Sequence, residues 1–332
     1  MRGLIERLCT SYGPAGREEQ VRAAIITEIV KLNESYTVDT LGNLVVHKSA
    51  AAGKKILVAA HMDEIGLMVT YIEENGFLRF TNLGGIPPGI LWGLRVVFAD
   101  GLVGVIGQEK IEGTRKPDLK QHYIDIGAAD REEAQARVKI GDSAVYFAPV
   151  YQAGKRLSAK SLDNRIGCVV LLETLKRLGG LTLPVEVYFA FTVQEEVGLR
   201  GARTAAYRLK PDYGLAVDVT RVGDTPEPDF KTGVALGKGP AIKIMDSAVI
   251  CHPGVTRLMQ DVAEKKGIPF QPEVLERGGT DAGAIHLTRE GVPSGALSIP
   301  CRYIHTPAEM VDLDDVENSI ALLTELLKST DW

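Results

Sequence analysis

The sequence lacks any long uninterrupted apolar run, although 45% of its 332 residues are hydrophobic. No window approaches the roughly 20 consecutive apolar residues that a membrane-spanning helix needs. The N-terminal stretch MRGLIERLCTSYGPAGREEQ carries charges inside its first apolar segment and so differs from a secretory signal peptide. We therefore expect a soluble cytoplasmic protein with no membrane partner.

Cysteines are few, and basic residues are not in excess. The four cysteines (Cys9, Cys168, Cys251 and Cys301) are scattered and form no Cys-x-x-Cys pair, which is typical of reduced, buried thiols in a reducing compartment. The 43 acidic residues outnumber the 38 basic ones, the formal charge is -5, and no Lys/Arg cluster occurs. Since phosphate binding needs a basic face, a nucleic-acid partner is not expected.

Two hydrophobic patterns divide the chain, whose length already favours two domains. In its first and last thirds, segments with helical periodicity alternate with short apolar runs such as 55–60 (KILVAA) and 185–193 (VEVYFAFTV). Runs of this kind are typical of strands that are buried on both faces. The alternation predicts an α/β fold with a mostly parallel sheet covered by helices.

From residue 66 to residue 159 the helical periodicity largely disappears. Runs rich in Val, Ile, Phe and Tyr alternate there with Gly, Asn and Asp, and the Asp-Gly pair at 100–101 is a strong hairpin signal. We predict a β-rich domain at 66–159, inserted into one α/β domain that is formed by 1–65 and 160–332. Within the insert, the polar stretch 108–121 is predicted to be mobile.

Histidine and acidic side chains recur where predicted buried strands end. A His-x-Asp motif follows the first apolar run, a Glu-Glu pair follows the second, and one Asp starts the helix at which the chain returns from the insert. The candidate residues are His61, Asp63, Asp163, Glu195, Glu196, Asp218 and His305. Because ligands of open α/β sheets bind at the carboxyl ends of strands, we expect these side chains to meet in one crevice.

The chemistry of these residue types points to metal ions. Imidazole and carboxylate ligands together suit zinc, cobalt or manganese, whereas an all-oxygen set suits magnesium or calcium. Two divalent ions carry four positive charges, which the carboxylates of Asp163, Glu196 and Asp218 would largely offset. One carboxylate must bridge if the two ions are to lie about 3.5–4 Å apart.

The remaining acidic residues suit supporting roles. A metal-bound His usually donates its other ring proton to a carboxylate, and Asp63, two residues beyond His61, is placed to accept it. In Glu195-Glu196, neighbouring side chains at a strand end point in different directions. One of them can therefore bind metal while the other acts as a general base.

Each motif alone also has an ordinary structural explanation. His-x-Asp is usually a surface turn, and Glu-Glu is usually a solvated helix start. Asp218 suits a helix N-cap, and His305 suits a hydrogen-bonded core histidine. What favours a functional centre is the ordered set, in which every member lies at the end of a predicted element.

With this ordered set the chain resembles the dinuclear metal aminopeptidases of the tetrahedral (TET) family, which includes glutamyl and deblocking aminopeptidases and some proteins labelled endoglucanases. The matching segments are AHMDEIGLM, KSLDNRIGC, TVQEEVGLRGA, LAVDVT, RGGTDAGAIH and IPCRYIHTPAEM. Roughly a hundred residues separate His61 from Asp163, and the TET family carries its β-rich dimerisation domain at that point. In carboxypeptidase and deacylase relatives the additional domain generally enters later.

The resemblance implies a role for each candidate residue around two divalent ions, zinc or cobalt. The implied roles are bridging by Asp163, one metal site completed by Glu196 and His305, the other completed by His61 and Asp218, general-base catalysis by Glu195, and orientation of His61 by Asp63. A cis peptide bond after Asp163 is also expected from the resemblance.

The same resemblance implies the activity and the assembly. The chain would hydrolyse N-terminal residues from short peptides, with a water that the two ions activate and a Glu general base. Dimers would assemble into a hollow tetrahedral dodecamer whose active sites face inward. The preferred first residue and the identity of the metal stay open at this point.

The Gly-rich loop at 278–283 is interpreted as part of the pocket for the first side chain of the substrate. Its candidate substrate-binding residues are Gly279, Thr280 and Asp281. A turn followed by a helix N-cap explains the loop equally well. No Lys-Ser/Thr pair follows the loop, which excludes a phosphate-binding loop of that type.

Two other classes of function compete with the aminopeptidase interpretation. An endoglucanase-type glycoside hydrolase would need two carboxylates and no essential metal, which leaves the histidines without a role. A non-catalytic assembly protein with a relic site would lack a ligand or the base, and no member of the set is missing.

Overall fold

The computed structural model describes residues 1–50, 53–111, 117–228 and 231–332. Within them the α-helices are α1 (Arg2–Thr10), α2 (Glu19–Lys31), α3 (Arg131–Arg137), α4 (Leu162–Leu178), α5 (Arg200–Leu209), α6 (Pro253–Lys266), α7 (Ala282–Ile285) and α8 (Leu313–Leu327). The strands are β1 (Tyr36–Val38), β2 (Leu44–Lys48), β3 (Lys55–His61), β4 (Gly66–Ile72), β5 (Leu78–Leu83), β6 (Arg95–Phe98), β7 (Val103–Gln108), β8 (His122–Asp125), β9 (Ser143–Tyr146), β10 (Tyr151–Ala153), β11 (Arg156–Ala159), β12 (Glu186–Thr192), β13 (Tyr213–Arg221), β14 (Ala241–Met245), β15 (Gln271–Val274), β16 (Ser294–Arg302) and β17 (Glu309–Asp312).

Eleven of these strands form one large sheet with a parallel centre. Its main path runs β1-β2-β12-β3-β13-β16-β17-β11-β10, and β14 and β15 join it through β16. Strands β12, β3, β13 and β16 are successive parallel neighbours, and the pairs that flank them are antiparallel. The predicted α/β class is confirmed, with antiparallel strands added on both sides of the parallel centre.

The central strand β3 shows why this sheet is covered on both faces. Its successive side chains alternate between two clusters, because neighbouring residues of a strand point to opposite faces. Ile56 and Val58 belong to the cluster that includes residues of α4 and α8, whereas Leu57 and Ala59 pack with residues of α5 and α7. All four are fully buried. A continuous apolar run is therefore what this position in the fold requires.

The six strands β4 to β9 form a separate closed barrel in the order β4-β5-β8-β7-β6-β9. The barrel has its own apolar core, to which each of its strands contributes. Its first strand, β4, follows directly after β3 in the sequence. The two strands after the barrel, β10 and β11, pair with each other and extend the large sheet, because β11 also pairs with β17. The division into 1–65 with 160–332 and an insert at 66–159 stays a prediction.

Two further expectations concern loops and membranes. Of the stretch 108–121, which was predicted to be mobile, residues 112–116 lie outside the described residues, and 119–121 form a short 3-10 turn before β8. Among the helices of the described ranges, none is long and apolar enough to cross a membrane.

Candidate metal centre

The candidate residues meet at one edge of the large sheet, because its parallel strands end there. His61 is the last residue of β3 and pairs in register with Thr192, the last residue of β12. Glu195 and Glu196 follow closely on β12. Asp218, which was expected just after the end of its strand, lies within β13, the other neighbour of β3, because that strand continues to Arg221. Separate segments of the chain thus deliver their side chains to one place, as the strand pattern predicts.

Asp163 lies between the two histidines. Its Oδ1 is 3.0 Å from Nε2 of His61, and its Oδ2 is 3.3 Å from Nε2 of His305. Nε2 of His305 is also 3.4 Å from Oε2 of Glu196, while Nε2 of His61 is 3.8 Å from Oδ1 of Asp218. A carboxylate that presents one oxygen toward each of two imidazoles has the arrangement that a bridging ligand needs.

Among the described residues, possible ligand atoms form two overlapping groups, and His305 belongs to neither. One group is His61, Glu195 and Asp218, and the other is His61, Asp163 and Glu196, with all atoms of a group within 4.8 Å of one another. Oε2 of Glu195 lies 3.8 Å from Nε2 of His61, as far as Oδ1 of Asp218 does. The distances therefore allow Glu195 to act either as a base beside the centre or as a ligand in it.

Burial sets the electrostatics of this cluster. It raises the pKa values of Glu195 and Asp218 well above the usual range, although the charge of His61 opposes the effect. Burial also acts to raise the pKa of Asp163, but its hydrogen bonds with His305 and His61 outweigh this and hold the pKa below its usual value. The cluster thus concentrates carboxylates where water cannot compensate their charge.

One oxygen of this cluster tests directly whether a cation fits. Oε1 of Glu196 is buried and has no hydrogen-bond partner among the described residues. A buried polar atom without a partner is costly, whereas a divalent ion would satisfy it. Since the imidazoles of His61 and His305 and several carboxylates surround the same place, the residues present fit divalent metal ions.

Asp63 is fully buried and connects β3 with the segment after β12. Its Oδ1 is 3.4 Å from Nδ1 of His61, on the side of the ring that faces away from Asp163. Its carboxylate also accepts hydrogen bonds from the backbone N–H groups of Glu195 (2.9 Å) and Glu196 (3.2 Å). Asp63 therefore contacts the His61 ring and fixes both neighbouring glutamates by their backbone.

The peptide bond between Asp163 and Asn164 is cis, which confirms the expectation from the family resemblance. The Asn164 side chain is buried and donates a hydrogen bond of 2.8 Å to the carbonyl oxygen of Val217, the residue before Asp218. It also accepts one of 3.0 Å from the backbone N–H of Gly167. The first of these bonds joins the start of α4 to β13 beside the centre, and the second lies within α4.

Glu309 is a buried carboxylate that the sequence analysis missed. Its Oε2 accepts a hydrogen bond of 2.9 Å from the backbone N–H of Asp163, and its Oε1 accepts one of 2.8 Å from that of His305. One side chain thus holds the backbone of two candidate ligands that lie far apart in the chain. The signal available in the sequence was its position four residues after His305, inside a segment that matches the family.

The Gly-rich loop lies beside the centre. A cavity of about 410 Å³ contains the candidate ligands, and Gly279 and Thr280 line it. Asp281 is not among the lining residues, and its carboxylate instead accepts a hydrogen bond of 2.5 Å from the hydroxyl of Thr192. Burial raises the pKa of Asp281 to about 6. Of the three candidates in this loop, only the first two border the cavity.

An α/β sheet whose strand ends carry a buried cluster of histidines and carboxylates is the arrangement of a metal-dependent hydrolase. Comparison with known families specifies the class further. The chain belongs to the M42 glutamyl aminopeptidase family, whose sequence profile matches residues 42–322. It is therefore a peptidase of the aminopeptidase class.

Curated relatives agree with this assignment over nearly their whole length. A putative aminopeptidase of Acetivibrio thermocellus is 49% identical over 325 residues, which cover 98% of this chain and 97% of that protein. The lysyl aminopeptidase of Pyrococcus furiosus is 36% identical, with 98% of this chain and 96% of that protein covered.

Solved structures confirm the resemblance to the TET aminopeptidases. An aminopeptidase from Desulfurococcus kamchatkensis has a TM-score of 0.94 at 40% identity, and the match covers 98% of this chain and 94% of that one. The TET1 peptidase of Pyrococcus horikoshii, which can assemble into a tetrahedron or a large octahedral shell, has a TM-score of 0.90 at 38% identity over 98% of both chains. A Thermotoga maritima structure labelled endoglucanase has a TM-score of 0.83 at 34% identity, covering 98% and 97%.

Proposed function

We propose that this chain is a dinuclear metalloaminopeptidase that releases N-terminal residues from short peptides. Family membership supports the aminopeptidase activity. The observation that carries the dinuclear centre is the position of Asp163, whose two oxygens face His61 and His305. The proposed metal ligands are His61, Asp163, Glu196, Asp218 and His305.

The proposed cofactor is a pair of zinc or cobalt ions, because both accept mixed imidazole and carboxylate ligands. When bound, the pair would supply Lewis acidity that makes a water nucleophilic near neutral pH and polarises the scissile carbonyl. Burial of several carboxylates around one point supports this proposal, since their negative charge needs a cationic partner there.

Glu195 is the proposed general base. Its carboxylate borders the cavity beside His61, where it can receive a proton from a water held at the centre. It takes the proton from the attacking water and passes it to the nitrogen of the leaving amine. Asp63 orients His61 through Nδ1 and fixes the backbone N–H of Glu195. A free α-amino group held at the centre limits cleavage to the first residue.

Release of residues from a panel of free and N-acetylated peptides tests this function. We expect the wild-type protein to cleave free peptides, to lose activity in chelator and to regain it when zinc or cobalt is added back. N-acetylated peptides are expected to resist, because they offer no free amine. The panel also identifies the preferred first residue, for which Gly279 and Thr280 are proposed to form part of the pocket.

Two outcomes of this experiment, and one outcome of a parallel assay on cellulose-type glycans, would contradict the proposal. Cleavage of N-acetylated peptides at comparable rates would indicate an acylpeptide-processing enzyme or an endopeptidase. Full activity in chelator would exclude an essential metal. Hydrolysis of cellulose-type glycans without any peptide cleavage would favour the glycoside hydrolase alternative.

We also propose that residues 66–159 mediate dimerisation and that dimers assemble into a tetrahedral dodecamer around inward-facing active sites. Support comes from the assembly described for the TET1 peptidase of Pyrococcus horikoshii and from exposed apolar side chains on the barrel strand β7, Val103 and Val105. Gel filtration of the wild-type protein is expected to give a species near twelve times the chain mass of 35.9 kDa. A fully active monomer would overturn this part of the proposal.

A further inference from the structure

A loop of the barrel reaches the candidate metal centre. Strand β5 ends at Leu83, and the two residues that follow it are Gly84 and Gly85. Gly85 lines the same cavity as His61 and Asp163, although the barrel itself carries none of the proposed ligands. The barrel therefore forms part of the wall of the active site in the same chain.

The approach of this loop leaves no room for a side chain. A Cβ atom placed on Gly85 would lie 2.9 Å from Nδ1 and 3.1 Å from Cε1 of His305. A Cβ atom on Gly84 would lie 2.9 Å from Oε2 of Glu196 and 2.7 Å from Cγ2 of Ile65. Glycine lets a backbone come this close to another group. The backbone of Gly84 thus lies directly against Glu196, and that of Gly85 lies directly against His305.

Only one of the two positions isolates this steric effect. Gly84 has a φ of 80°, a left-handed conformation that strains any other residue, so a substitution there would disturb the backbone as well. Gly85 has no such positive φ. An alanine at this position would keep the backbone conformation, and its methyl group would act on the His305 ring alone.

His305 is enclosed from several sides. The Nε2 atom of its ring faces Asp163 and Glu196, at 3.3 and 3.4 Å from their carboxylate oxygens. The Nδ1 and Cε1 atoms face Gly85, and the backbone N–H of His305 is held by Glu309. Because the backbone is fixed, the distance of the ring from Asp163 and Glu196 depends on the group that contacts Nδ1 and Cε1.

We propose that Gly85 is a positioning residue, whose bare backbone sets the place of the His305 ring and so lets the inserted barrel determine the geometry of one metal site. The inference rests on the proposed dinuclear centre. Optimal carbon contacts lie at roughly 3.5–4.0 Å, so a methyl group at position 85 moves the ring by about 0.5 Å. Functional constellations tolerate displacements of only about that size.

Gly89 provides a matched control in the same loop. It lies in the short 3-10 turn Pro88–Ile90, it has no positive φ, and a Cβ atom placed on it would meet nothing within 4 Å. Gly85→Ala and Gly89→Ala therefore add the same methyl group, which contacts the His305 ring in the first variant and nothing within 4 Å in the second. Gly85→Ser extends the series, because its larger side chain should displace the ring further.

The test is the binding of cobalt to the metal-free proteins, measured by calorimetry and by visible absorption. We expect the wild type and Gly89→Ala to bind two ions alike. Gly85→Ala should lower the affinity for one of the two ions by about 10-fold or more, because disturbing a support of a metal ligand typically has an effect of this size. The visible absorption of cobalt at that site should change as well. Gly85→Ser should lower this affinity further, and the melting temperature of the metal-free protein should stay as in the wild type.

Each other outcome overturns the inference. Binding by Gly85→Ala that matches the wild type would show that the ring is not positioned by Gly85. If both ions bound more weakly to the same extent and the metal-free protein melted at a lower temperature, the substitution would have caused general structural damage. Failure of the wild type to bind two ions would overturn the dinuclear centre itself, and this result is recognised without any variant.

Discussion

Glu195→Gln is expected to lower kcat by about 10²- to 10⁴-fold and to leave metal binding close to that of the wild type. Glutamine has the size of glutamate and keeps one carbonyl oxygen, but it cannot take a proton from the attacking water. The backbone N–H of Glu195 donates a hydrogen bond of 2.9 Å to Asp63, which should keep the new side chain in place. Steady-state kinetics on a free peptide and zinc titration of the metal-free protein measure the two quantities.

The control for this variant is Glu264→Gln, an exposed position on α6 that should behave as the wild type. Turnover by Glu195→Gln within tenfold of the wild type would mean that another group is the base. Loss of metal would mean that Glu195 is a ligand, which its distance of 3.8 Å from Nε2 of His61 also allows. The kinetic and the binding result together therefore decide between its two possible roles.

The positions of the candidate residues could be predicted because they depend on strong local patterns. The central residues of β3 and β12, 56–60 and 187–191, form nearly continuous apolar runs, so both are recognisable as buried strands, and parallel neighbours bring their ends to the same edge. His61 and Glu195 come together for this reason alone. The α/β class follows from the same alternation of helices and apolar strands.

The supports of the centre could not be predicted in this way. Glu309 binds the backbone N–H groups of Asp163 and His305, and a carboxylate that accepts backbone hydrogen bonds from distant segments leaves no periodic signal. Gly85 in turn contacts a histidine about 220 residues later in the chain. Such contacts exist only once the barrel and the sheet have formed.

The sheet to which β10 and β11 belong could not be predicted for a related reason. Strands β10 and β11 have the short β pattern of the barrel strands before them, yet both belong to the large sheet, where β10 pairs with β11 and β11 pairs with β17. Alternation of side chains specifies a strand but not its partner, since both sheets accept the same pattern. Pairing is decided by contacts that are distant in sequence, as between Leu157 and Val311.

Asp163→Asn is expected to have the largest effect, because it acts on both proposed metal sites at once. The amide keeps one oxygen, but its NH₂ group would face the second histidine and cannot coordinate an ion there. The bridging negative charge is lost as well. We expect peptide hydrolysis to fall by more than the roughly 10- to 100-fold that loss of an outer support of a metal ligand costs.

A thermal-shift measurement separates loss of metal from loss of fold. A ligand at one hundred times its Kd stabilises the folded state by about 2.7 kcal/mol, and each kcal/mol raises Tm by roughly 2–4 °C in a domain of about 200 residues. Zinc should therefore raise the Tm of the wild type and of the exposed control Asp261→Asn by several degrees. The metal-free Tm of Asp163→Asn should equal that of the wild type, and zinc should not raise it. A full zinc-induced rise would contradict the bridging role, whereas a lowered metal-free Tm would show that the Asp163 side chain supports the fold through its contacts with His61 and His305.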